Sequence, residues 1–410
     1  MSEVTPFVPA DRVAALPPYL FAGIDRARAE AVARGMDIIS LGIGDPDTPT
    51  PDFIIEALRE AAGRPANHRY PSYEGMPAFR RAVADWYAVR FGVDDLDPDR
   101  EILCTIGSKE AIGHFPFAWV NPGDLVLAPS PGYPVYAIAA RFAGGEVLSL
   151  PLTEENGFLP DLDAIADAVW ERAKIIWLNS PNNPTGSVAP FEFYERLVAL
   201  CRRHHVILAH DSAYSEIYYD DADRPLSVFN VPGARDVAIE FQSLSKTYNM
   251  TGWRVGMAVG SAELVRGLGA IKENMDSGTF QAVQEAAIAA LREGDSFCRE
   301  LRRMYHARRD TVCSALRGLG LRFCEPRGAL YVWARVPEGF TSESFVSRVL
   351  NETGVVLTPG SGFGAAGEGW FRISLTVPTA RLEEAMSRLS RIRGADGMTD
   401  AGYRGAGGLL

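Results

Sequence analysis

Short apolar runs alternate with helical patterns from about residue 101 onward, and each run stops at a polar, turn-prone segment. The runs KIIWLN, VILAH and VAIEF lead directly into SPNNPTG, DSAY and QSLSK. Such alternation predicts an α/β fold in which a mostly parallel central sheet is flanked by helices on both faces. Because parallel sheets bind ligands at the carboxyl ends of their strands, the three polar segments are candidates for one functional site.

The predicted secondary-structure pattern changes along the chain and suggests separate domains. At 410 residues it exceeds one ordinary hydrophobic core, and this length predicts two or three units. A long helical pattern over 281–317 is followed by the strand patterns GLRFCEPRGALYVWARV, VVLTPG and WFRISL, which predict a smaller α+β domain. We therefore predict an N-terminal arm with part of the small domain over 1–47, a large α/β domain over 48–290, a small C-terminal domain over 291–395, and a flexible Gly-rich tail over 396–410.

Composition argues against several classes of function. A net charge of −11 argues against a nucleic-acid partner, which would favour a basic surface. No run approaches the roughly 18 consecutive apolar residues of a membrane helix, and the opening segment MSEVTPFVPADR lacks a secretory signal pattern. The five cysteines are scattered without a C-x-x-C pair, and the six histidines show no metal-ligand spacing. We therefore expect a cytoplasmic protein with reduced thiols, no membrane contact and no metal.

The segment GFGAAG (362–367) matches the G-x-G-x-x-G pattern of dinucleotide-binding proteins. That pattern indicates a dinucleotide site only where it opens a helix after a strand. Here EGWFRISL follows, and its apolar residues predict another strand. We therefore expect no nicotinamide cofactor.

One lysine stands in the segment SLSKTYNMTGWRVG (243–256), directly after an apolar run. An ammonium that leaves bulk water has its pKa lowered, because the charged form loses hydration, and the neutral amine is a nucleophile. Lys246 is therefore the first candidate for covalent chemistry. Taken alone, a surface lysine is the commoner interpretation, but Ser243, Ser245 and Arg254 around it favour the catalytic one.

Together, the polar segments fit pyridoxal phosphate better than any other cofactor. This cofactor needs an amine, an acid near its pyridine nitrogen, donors to its phenolic oxygen and a site for its phosphate. Asp211, at the end of the VILAH strand, can hold the ring nitrogen protonated, although a turn aspartate is a common alternative. Tyr214 and Asn183 can donate to the phenolic oxygen, although the NNPTG segment is also typical of a simple turn.

A phosphate site is predicted from two parts of the chain. The segment Gly107–Lys109 precedes a helix, and backbone N–H groups at a helix N-terminus bind anions. Ser243, Ser245 and Arg254 add side-chain donors, and an arginine can bind a phosphate with two parallel hydrogen bonds. Tyr133, in SPGYPVY, can lay its ring on the face of the cofactor, or it can belong to the core.

Arg372 is an isolated charge in the apolar strand pattern WFRISL. A charge in such a position needs a partner, because burial without one is costly. Either an Asp or Glu of the chain or the α-carboxylate of a substrate can be that partner, and the sequence leaves both open.

These segments resemble those of class I/II aminotransferases of fold type I, from about residue 16 to 393. SLSKTYNMTGWRVG is similar to that family's lysine motif, and SPNNPTG and DSAYSEI match its two other motifs in the same order. The resemblance implies a large domain that binds pyridoxal phosphate and a smaller α+β domain. It implies amino-group transfer between an amino acid and a 2-oxo acid, with glutamate and 2-oxoglutarate as one pair. It also implies a homodimer with shared active sites.

The resemblance assigns a role to each matching position. Three positions are catalytic. Lys246 matches the Schiff-base lysine, Asp211 the partner of the pyridine nitrogen, and Tyr214 a phenolate donor. The other cofactor-binding positions are Ser108, Lys109, Tyr133, Asn183, Ser243, Ser245, Arg254 and Tyr70, the last of which reaches the phosphate of the neighbouring subunit. The substrate-binding positions are Tyr19, Gly44, Lys109, Tyr133, Asn183 and Arg372.

Within this family, LPPYLFAGIDRARAEAVARGMDIISLGIGDPDTPTPD and NHRYPSYEGM are similar to enzymes assigned as LL-diaminopimelate aminotransferases. The resemblance implies LL-diaminopimelate as the amino donor, in the biosynthesis of lysine and peptidoglycan precursors, with Tyr19 and Lys109 as substrate contacts. One departure concerns TFQAVQ, where Gln281 is the nearest match to an asparagine that faces cofactor and substrate in related enzymes. Alanine, aspartate or aromatic aminotransferase activity and C–S β-lyase activity stay open as alternatives.

Overall fold

The computed structural model describes residues 7–16 and 20–392, without the side chains of residues 20–25. The α-helices are, in chain order, α1 (Asp11–Ala14), α2 (Leu20–Ala33), α3 (Asp52–Ala62), α4 (Pro77–Phe91), α5 (Ser108–Trp119), α6 (Val135–Phe142), α7 (Asp167–Arg172), α8 (Phe191–His204), α9 (Leu244–Thr247), α10 (Ala262–Met275), α11 (Gln281–Glu293), α12 (Asp295–Gly318), α13 (Ser342–Thr353) and α14 (Thr379–Leu389). The strands are β1 (Ile39–Ser40), β2 (Ile102–Thr105), β3 (Leu125–Ser130), β4 (Glu146–Pro151), β5 (Ala173–Asn179), β6 (Ile207–Asp211), β7 (Ala238–Ser243), β8 (Gly256–Gly260), β9 (Phe323–Cys324), β10 (Tyr331–Arg335), β11 (Val355–Val356), β12 (Thr358–Pro359) and β13 (Trp370–Ser374). Tyr19 and the tail predicted over 396–410 lie outside the described residues.

The largest sheet has the strand order β2-β8-β7-β6-β5-β3-β4. Strands β3 to β7 pair in parallel, whereas β8 is antiparallel to both β7 and β2. Alternate residues of β5 belong to different cores: Ile175 and Trp177 pack with α5 and α6, and Ile176 and Leu178 pack with α8. Because helices cover both faces, the central strands are continuous apolar runs rather than alternating ones. The predicted mostly parallel sheet with flanking helices is confirmed.

The polar segments that the sequence singled out meet at one edge of this sheet. Asp211, the last residue of β6, pairs with Asn179, the last residue of β5. Ser243 and Thr105, the last residues of β7 and β2, both pair with the first residue of β8. The ends of four strands therefore lie together, as expected for the ligand-binding edge of a parallel sheet.

A second, antiparallel sheet of order β12-β13-β10-β9 forms from the C-terminal part of the chain. Arg372 in β13 pairs with Trp333 in β10 and with Thr358 in β12. A separate parallel pair joins β1 to β11, which places residues 39–40 beside this region. The chain then passes through Gly44 toward the large sheet. The domain boundaries given above stay a prediction.

Two further sequence predictions concern the second half of the chain. The helical pattern over 281–317 is present as α11 and α12, with Gly294 between them. The strand predicted after GFGAAG is present as β13, and this pattern forms short 3-10 turns over 360–363 and 365–367 rather than the start of an α-helix. Among residues 7–16 and 20–392, no helix combines the length and the apolar character that a membrane span requires.

Candidate active site

Lys246 lies in α9, three residues beyond the end of β7. Its Nζ atom donates a hydrogen bond to the carbonyl oxygen of Gly44 at 2.7 Å. Burial lowers the pKa of Lys246 from 10.5 to about 8; Asp45 opposes this effect, and the charges of Arg372 and Arg254 add to it. Burial is the environment that the sequence predicts for this amine, and it favours the neutral, nucleophilic form. The catalytic role of Lys246 stays a prediction.

Asp211 is a buried carboxylate at the end of β6. The hydroxyl of Tyr136 donates to its Oδ2 atom at 2.6 Å, and the backbone N–H of Ala213 donates to Oδ1 at 3.3 Å. Burial raises the pKa of Asp211, and these two hydrogen bonds partly offset it. None of the ion pairs formed among the described residues includes Asp211. A buried carboxylate with neutral partners is suited to a cationic group of a ligand.

The NNPTG segment is tied to the end of the sheet by one side chain, that of Asn179. Its Nδ2 atom donates to the carbonyl oxygen of Asp211 at 2.9 Å, and its Oδ1 atom accepts from the backbone N–H of Asn183 at 2.8 Å. Asn183 and Asp211 are therefore held in a fixed relation by a buried amide. The segment is a turn, as its composition indicates, but a turn that carries Asn183 into the candidate site.

Arg372 is a buried guanidinium that points at neutral acceptors. Its Nη1 atom donates to Oδ1 of Asn183 at 2.8 Å, and Nη2 donates to the carbonyl oxygen of Gly42 at 2.6 Å. The rings of Tyr331 and Phe363 lie 4.2 and 4.7 Å from its Cζ atom. Burial lowers the pKa of Arg372. No carboxylate of the described residues forms an ion pair with it, so an internal Asp or Glu, one of the two partners that the sequence left open, is not found there.

A candidate anion site lies where α5 begins. Gly107 has φ +74°, and a Cβ atom built on it would lie 2.3 Å from Nη2 of Arg254, so a side chain at position 107 would be strained and would displace this guanidinium. Arg254 itself has φ +56°, an uncommon conformation for a residue with a side chain. Its Nη1 atom donates to the carbonyl oxygen of Thr251 at 2.8 Å and lies 3.5 Å from the hydroxyl of Ser245. Ser243 accepts from the backbone N–H of Ser245 at 3.2 Å.

Tyr214 is buried against a tyrosine of the second sheet. Its hydroxyl oxygen lies 2.9 Å from that of Tyr331, within hydrogen-bond distance. Burial raises the pKa of Tyr214 well above its ordinary value, so its hydroxyl keeps its proton and can donate. A Cβ atom built on Gly44 would lie 2.0 Å from the hydroxyl oxygen of Tyr331, which explains the glycine at this position.

Two further predicted residues, Tyr133 and Lys109, follow strands β3 and β2 at the same edge of the sheet. Tyr133 is partly buried, and its ring meets that of Tyr136 edge-on, with 5.8 Å between the ring centroids. Lys109 is exposed in the first turn of α5, beside Ser108. Their roles toward cofactor and substrate stay predictions.

Tyr70 and Gln281 lie further from this set of contacts. The side chain of Tyr70 is 89% exposed, which leaves it accessible to another molecule. The side-chain amide of Gln281 faces the backbone carbonyl oxygens of residues 66–67, which its nitrogen can reach at 2.9 Å from Asn67 when the amide is turned toward them. The correspondence between Gln281 and the asparagine of related enzymes therefore stays a prediction, and the observed contact is with a neighbouring turn.

Three residues of the site were not predicted from the sequence. Asn179 ends an apolar strand, a position at which a polar side chain could have been singled out as Asp211 was. Tyr136 is part of the quoted segment SPGYPVY, but the sequence does not distinguish it from Tyr133. Tyr331 lies in GALYVW, which is typical of a core strand and carries no signal of function.

Comparison with known proteins shows the family to which the chain belongs. The family described as aminotransferase class I and II matches residues 36–389. This chain belongs to that family. An LL-diaminopimelate aminotransferase of Nitratidesulfovibrio vulgaris (strain DP4) is 68% identical over 383 residues, which cover 93% of this chain and 98% of the relative. A second enzyme of that name, from Oleidesulfovibrio alaskensis, is 65% identical over 389 residues, covering 95% of this chain and 100% of the relative.

The solved structures give the same result for the fold. Substrate-bound BacF of Bacillus subtilis superposes with a TM-score of 0.89 at 37% identity, covering 94% of this chain and 98% of BacF. The aminotransferase described above thus has fold type I, and pyridoxal phosphate is the cofactor of its family. Both sequence predictions are confirmed.

The residues of this aminotransferase fit that cofactor. Asp211 is a buried carboxyl group that forms no ion pair within the described chain, so it is available to the protonated pyridine nitrogen. The turn at Gly107, with Arg254 packed against it, offers backbone and guanidinium donors for a phosphate. The lowered pKa of Lys246 suits an amine that reacts with an aldehyde. The donor set therefore matches pyridoxal phosphate at three separate chemical groups.

Proposed function

We propose that this aminotransferase moves an amino group from LL-diaminopimelate to 2-oxoglutarate, in the biosynthesis of lysine and peptidoglycan precursors. The observation that carries the choice of donor is the 68% identity, over 93% of the chain, to an enzyme named for that donor. The geometry supports amino-acid binding in general, because the buried Arg372 lacks a carboxylate partner in the described chain. Arg372 and Lys246 also both donate to the same short segment, at the carbonyl oxygens of Gly42 and Gly44.

When bound, pyridoxal phosphate supplies a reactive carbonyl carbon and a protonated ring that withdraws electrons from the substrate α-carbon. We infer that Asp211 keeps the ring nitrogen protonated, since its burial favours a paired, cationic neighbour. Asn183 and Tyr214 would donate to the phenolic oxygen. The phosphate would be held by Ser243, Ser245, Arg254 and the N-terminal N–H groups of α5, beginning at Ser108.

Lys246 moves the proton in this proposal. Its neutral amine would take a proton from the substrate α-carbon as a general base, and the resulting ammonium would give that proton up again as a general acid. A pKa of about 8 lies near working pH, where an amine can both accept and release a proton. Arg372 binds the α-carboxylate through its planar fork and thereby orients the C–H bond toward Lys246. The two half-reactions use one site in turn, which predicts ping-pong kinetics.

The test of the donor is a panel of amino acids with 2-oxoglutarate as acceptor. It includes LL-diaminopimelate, its meso isomer, alanine, aspartate and the aromatic amino acids. We expect kcat/KM to be highest for the LL isomer and double-reciprocal plots to give parallel lines. Good activity with alanine, aspartate or an aromatic amino acid and none with LL-diaminopimelate would reject this donor, while amino transfer itself would stand.

The test of the chemistry is the variant Lys246→Ala. We expect loss of turnover by at least about 10³-fold, because a single residue acts as both base and acid, together with loss of the visible absorbance of the bound cofactor. Lys174→Ala is the matched control, since Lys174 lies at the opposite end of β5 from the site. Steady amino transfer by Lys246→Ala would contradict the mechanism. Release of pyruvate and ammonia without a keto-acid acceptor would instead identify a C–S β-lyase.

We further propose a homodimer in which Tyr70 of one subunit completes the site of the other. The 89% exposure of its side chain supports this, because a tyrosine so exposed is free to enter a neighbouring site. Hybrids of Lys246→Ala and Tyr70→Ala subunits test it. If sites are shared, each hybrid contains one site with both native residues, and mixing two impaired variants restores activity. No recovery in hybrids shown to have formed would contradict a shared site.

A cytoplasmic location is also proposed. All five cysteines (Cys104, Cys201, Cys298, Cys313 and Cys324) are unpaired, and four of them are buried. Reduced, buried thiols are typical of a reducing compartment. Fractionation of cells that express the full chain tests the location.

A further inference from the structure

We propose that Tyr331 is a positioning residue that couples the arginine for the substrate carboxylate to the tyrosine that donates to the cofactor. The inference rests on the proposed function of Arg372 and Tyr214. Tyr331 is 3% exposed and contacts both of these residues as well as Gly44, so it joins parts of the site that come from different sheets.

The first contact is made by its hydroxyl group. The hydroxyl oxygens of Tyr331 and Tyr214 are 2.9 Å apart in a buried environment. Each hydroxyl has one proton to donate, so Tyr214 can donate to a cofactor oxygen only if Tyr331 donates to Tyr214. Hydrogen bonds in such a chain polarise one another, so the donation by Tyr331 makes Tyr214 a stronger donor.

The second contact is made by its ring. The guanidinium carbon of Arg372 lies 4.2 Å from the ring centroid, within the range of a cation–π interaction. This contact follows from the strand register. Arg372 pairs with Trp333, and Tyr331 is two residues from Trp333 in β10, so the three side chains share one face of the sheet. The ring thus limits the orientations that the guanidinium can adopt.

The third contact is with Gly44, whose carbonyl oxygen holds the amine of Lys246. The hydroxyl oxygen of Tyr331 occupies space that a Cβ atom of residue 44 would need, at 2.0 Å. The carbonyl oxygen of Gly44 accepts the hydrogen bond from Nζ of Lys246 at 2.7 Å. Tyr331 therefore packs against the residue that holds the amine. A residue that only fills the core would not need to touch all three groups.

The experiment separates the hydroxyl from the ring. The variant Tyr331→Phe removes the hydroxyl, and Tyr331→Leu removes the ring as well. The readout for the hydroxyl is the pH midpoint of the visible absorbance of the bound cofactor, measured without substrate. If Tyr214 donates more weakly, the phenolic oxygen of the cofactor carries more negative charge. This charge stabilises the protonated form of the nearby group whose titration sets the absorbance midpoint. We expect the midpoint in Tyr331→Phe to rise by about 0.5–1 pH unit, which is the shift that the net free energy of one hydrogen bond would produce.

A double-mutant cycle with Tyr214→Phe tests whether the hydroxyl acts through Tyr214. In the Tyr214→Phe background, Tyr331→Phe should add no further shift, because the residue through which it acts is already removed. The matched control is Tyr219→Phe. Tyr219 belongs to the same core cluster, and its buried hydroxyl donates to the carbonyl oxygen of Ala329 at 2.7 Å. We expect Tyr219→Phe and Tyr331→Phe to change the melting temperature by similar amounts. Only Tyr331→Phe should shift the absorbance midpoint.

The readout for the ring is the KM for glutamate. Tyr331→Phe keeps the ring, so its KM should stay within about two-fold of wild type. Tyr331→Leu should raise the KM by about 5- to 30-fold, as expected from a desolvated cation–π contact. An unchanged midpoint in Tyr331→Phe, or equal shifts with and without Tyr214, would overturn the proposal. Failure of LL-diaminopimelate as donor would reject only the choice of substrate, since this test uses the cofactor and glutamate.

Discussion

Arg372 donates through Nη1 to the side-chain oxygen of Asn183, and this 2.8 Å hydrogen bond joins the two sheets. Arg372 belongs to β13 of the antiparallel sheet, whereas Asn183 follows β5 of the large sheet. Both side chains are buried. Because the partner is a neutral amide, the positive charge is not compensated within the described chain. A carboxylate that enters between the sheets would meet a guanidinium already held in place.

We predict that Arg372→Lys lowers kcat/KM for glutamate by about 30- to 1,000-fold, or about 2–4 kcal/mol, mainly through a higher KM. Lysine keeps the charge but loses the planar fork that binds a carboxylate with two hydrogen bonds. Steady-state kinetics at fixed 2-oxoglutarate measures the effect. Arg335→Lys, at the exposed end of β10, is the control and should leave KM unchanged. Equal kinetics for the two variants would exclude Arg372 as the carboxylate site.

The rate at which the cofactor-free protein captures pyridoxal phosphate should rise with pH through a midpoint of about 8. Burial lowers the pKa of Lys246 to about 8, so its amine is protonated below this pH and neutral, hence reactive, above it. Stopped-flow absorbance gives the rate at each pH. Asp45→Asn should move the midpoint to lower pH, because the charge of Asp45 raises the pKa of Lys246. A midpoint near the ordinary lysine value, or an upward shift in Asp45→Asn, would contradict this account.

Gly107→Ala should weaken the binding of pyridoxal phosphate by about 10- to 100-fold, since hydrogen bonds to charged groups contribute about 1.5–3 kcal/mol. The added methyl would lie 2.3 Å from Nη2 of Arg254 and would displace the guanidinium. Gly92→Ala is a matched control, because Gly92 has φ +71° but no atom within 4 Å of a built Cβ. Both variants should lose stability through backbone strain of about 1 kcal/mol. Absorbance titration measures the affinity, and a similar loss in both variants would argue against a phosphate site at Gly107.

Lys272→Met should destabilise the fold by about 3 kcal/mol, because it removes the buried ammonium that two partly buried carboxylates share. Lys272 is fully buried, and its Nζ atom lies 3.2 Å from Glu110 and 3.0 Å from Asp276. Urea unfolding of the cofactor-free protein measures the effect. The exposed pair of Arg59 and Glu56 provides the control, since Arg59→Met should cost at most about 1 kcal/mol. Equal losses in the two variants would show that the buried cluster adds no special stability.

The large sheet and the polar ends of its strands could be predicted because the relevant signals are local. The strand that ends at Asp211 and the segment that contains Lys246 each combine an apolar run with polar residues directly after it. Burial on both faces explains the apolar runs, and the ligand edge explains the polar ends. These two residues could therefore be singled out without knowledge of their neighbours.

The contacts between the sheets could not be predicted in the same way. Tyr331 and Gly44 are far apart in sequence, and each lies in a segment whose composition is typical of a strand or a turn. Neither segment's sequence indicates that the hydroxyl of Tyr331 fills the space beside Gly44. The partner of Arg372 was open for the same reason, because only the folded chain shows which carboxylates lie within reach.

The connection between β7 and β8 carries Ser245, Lys246 and Arg254 between two strands that pair with each other. Arg372 and Tyr331, by contrast, belong to the other sheet. The residues proposed to hold the coenzyme phosphate and the arginine proposed to hold the substrate carboxylate are therefore anchored in different sheets. We expect substitutions in β13 to alter substrate affinity more than retention of the coenzyme.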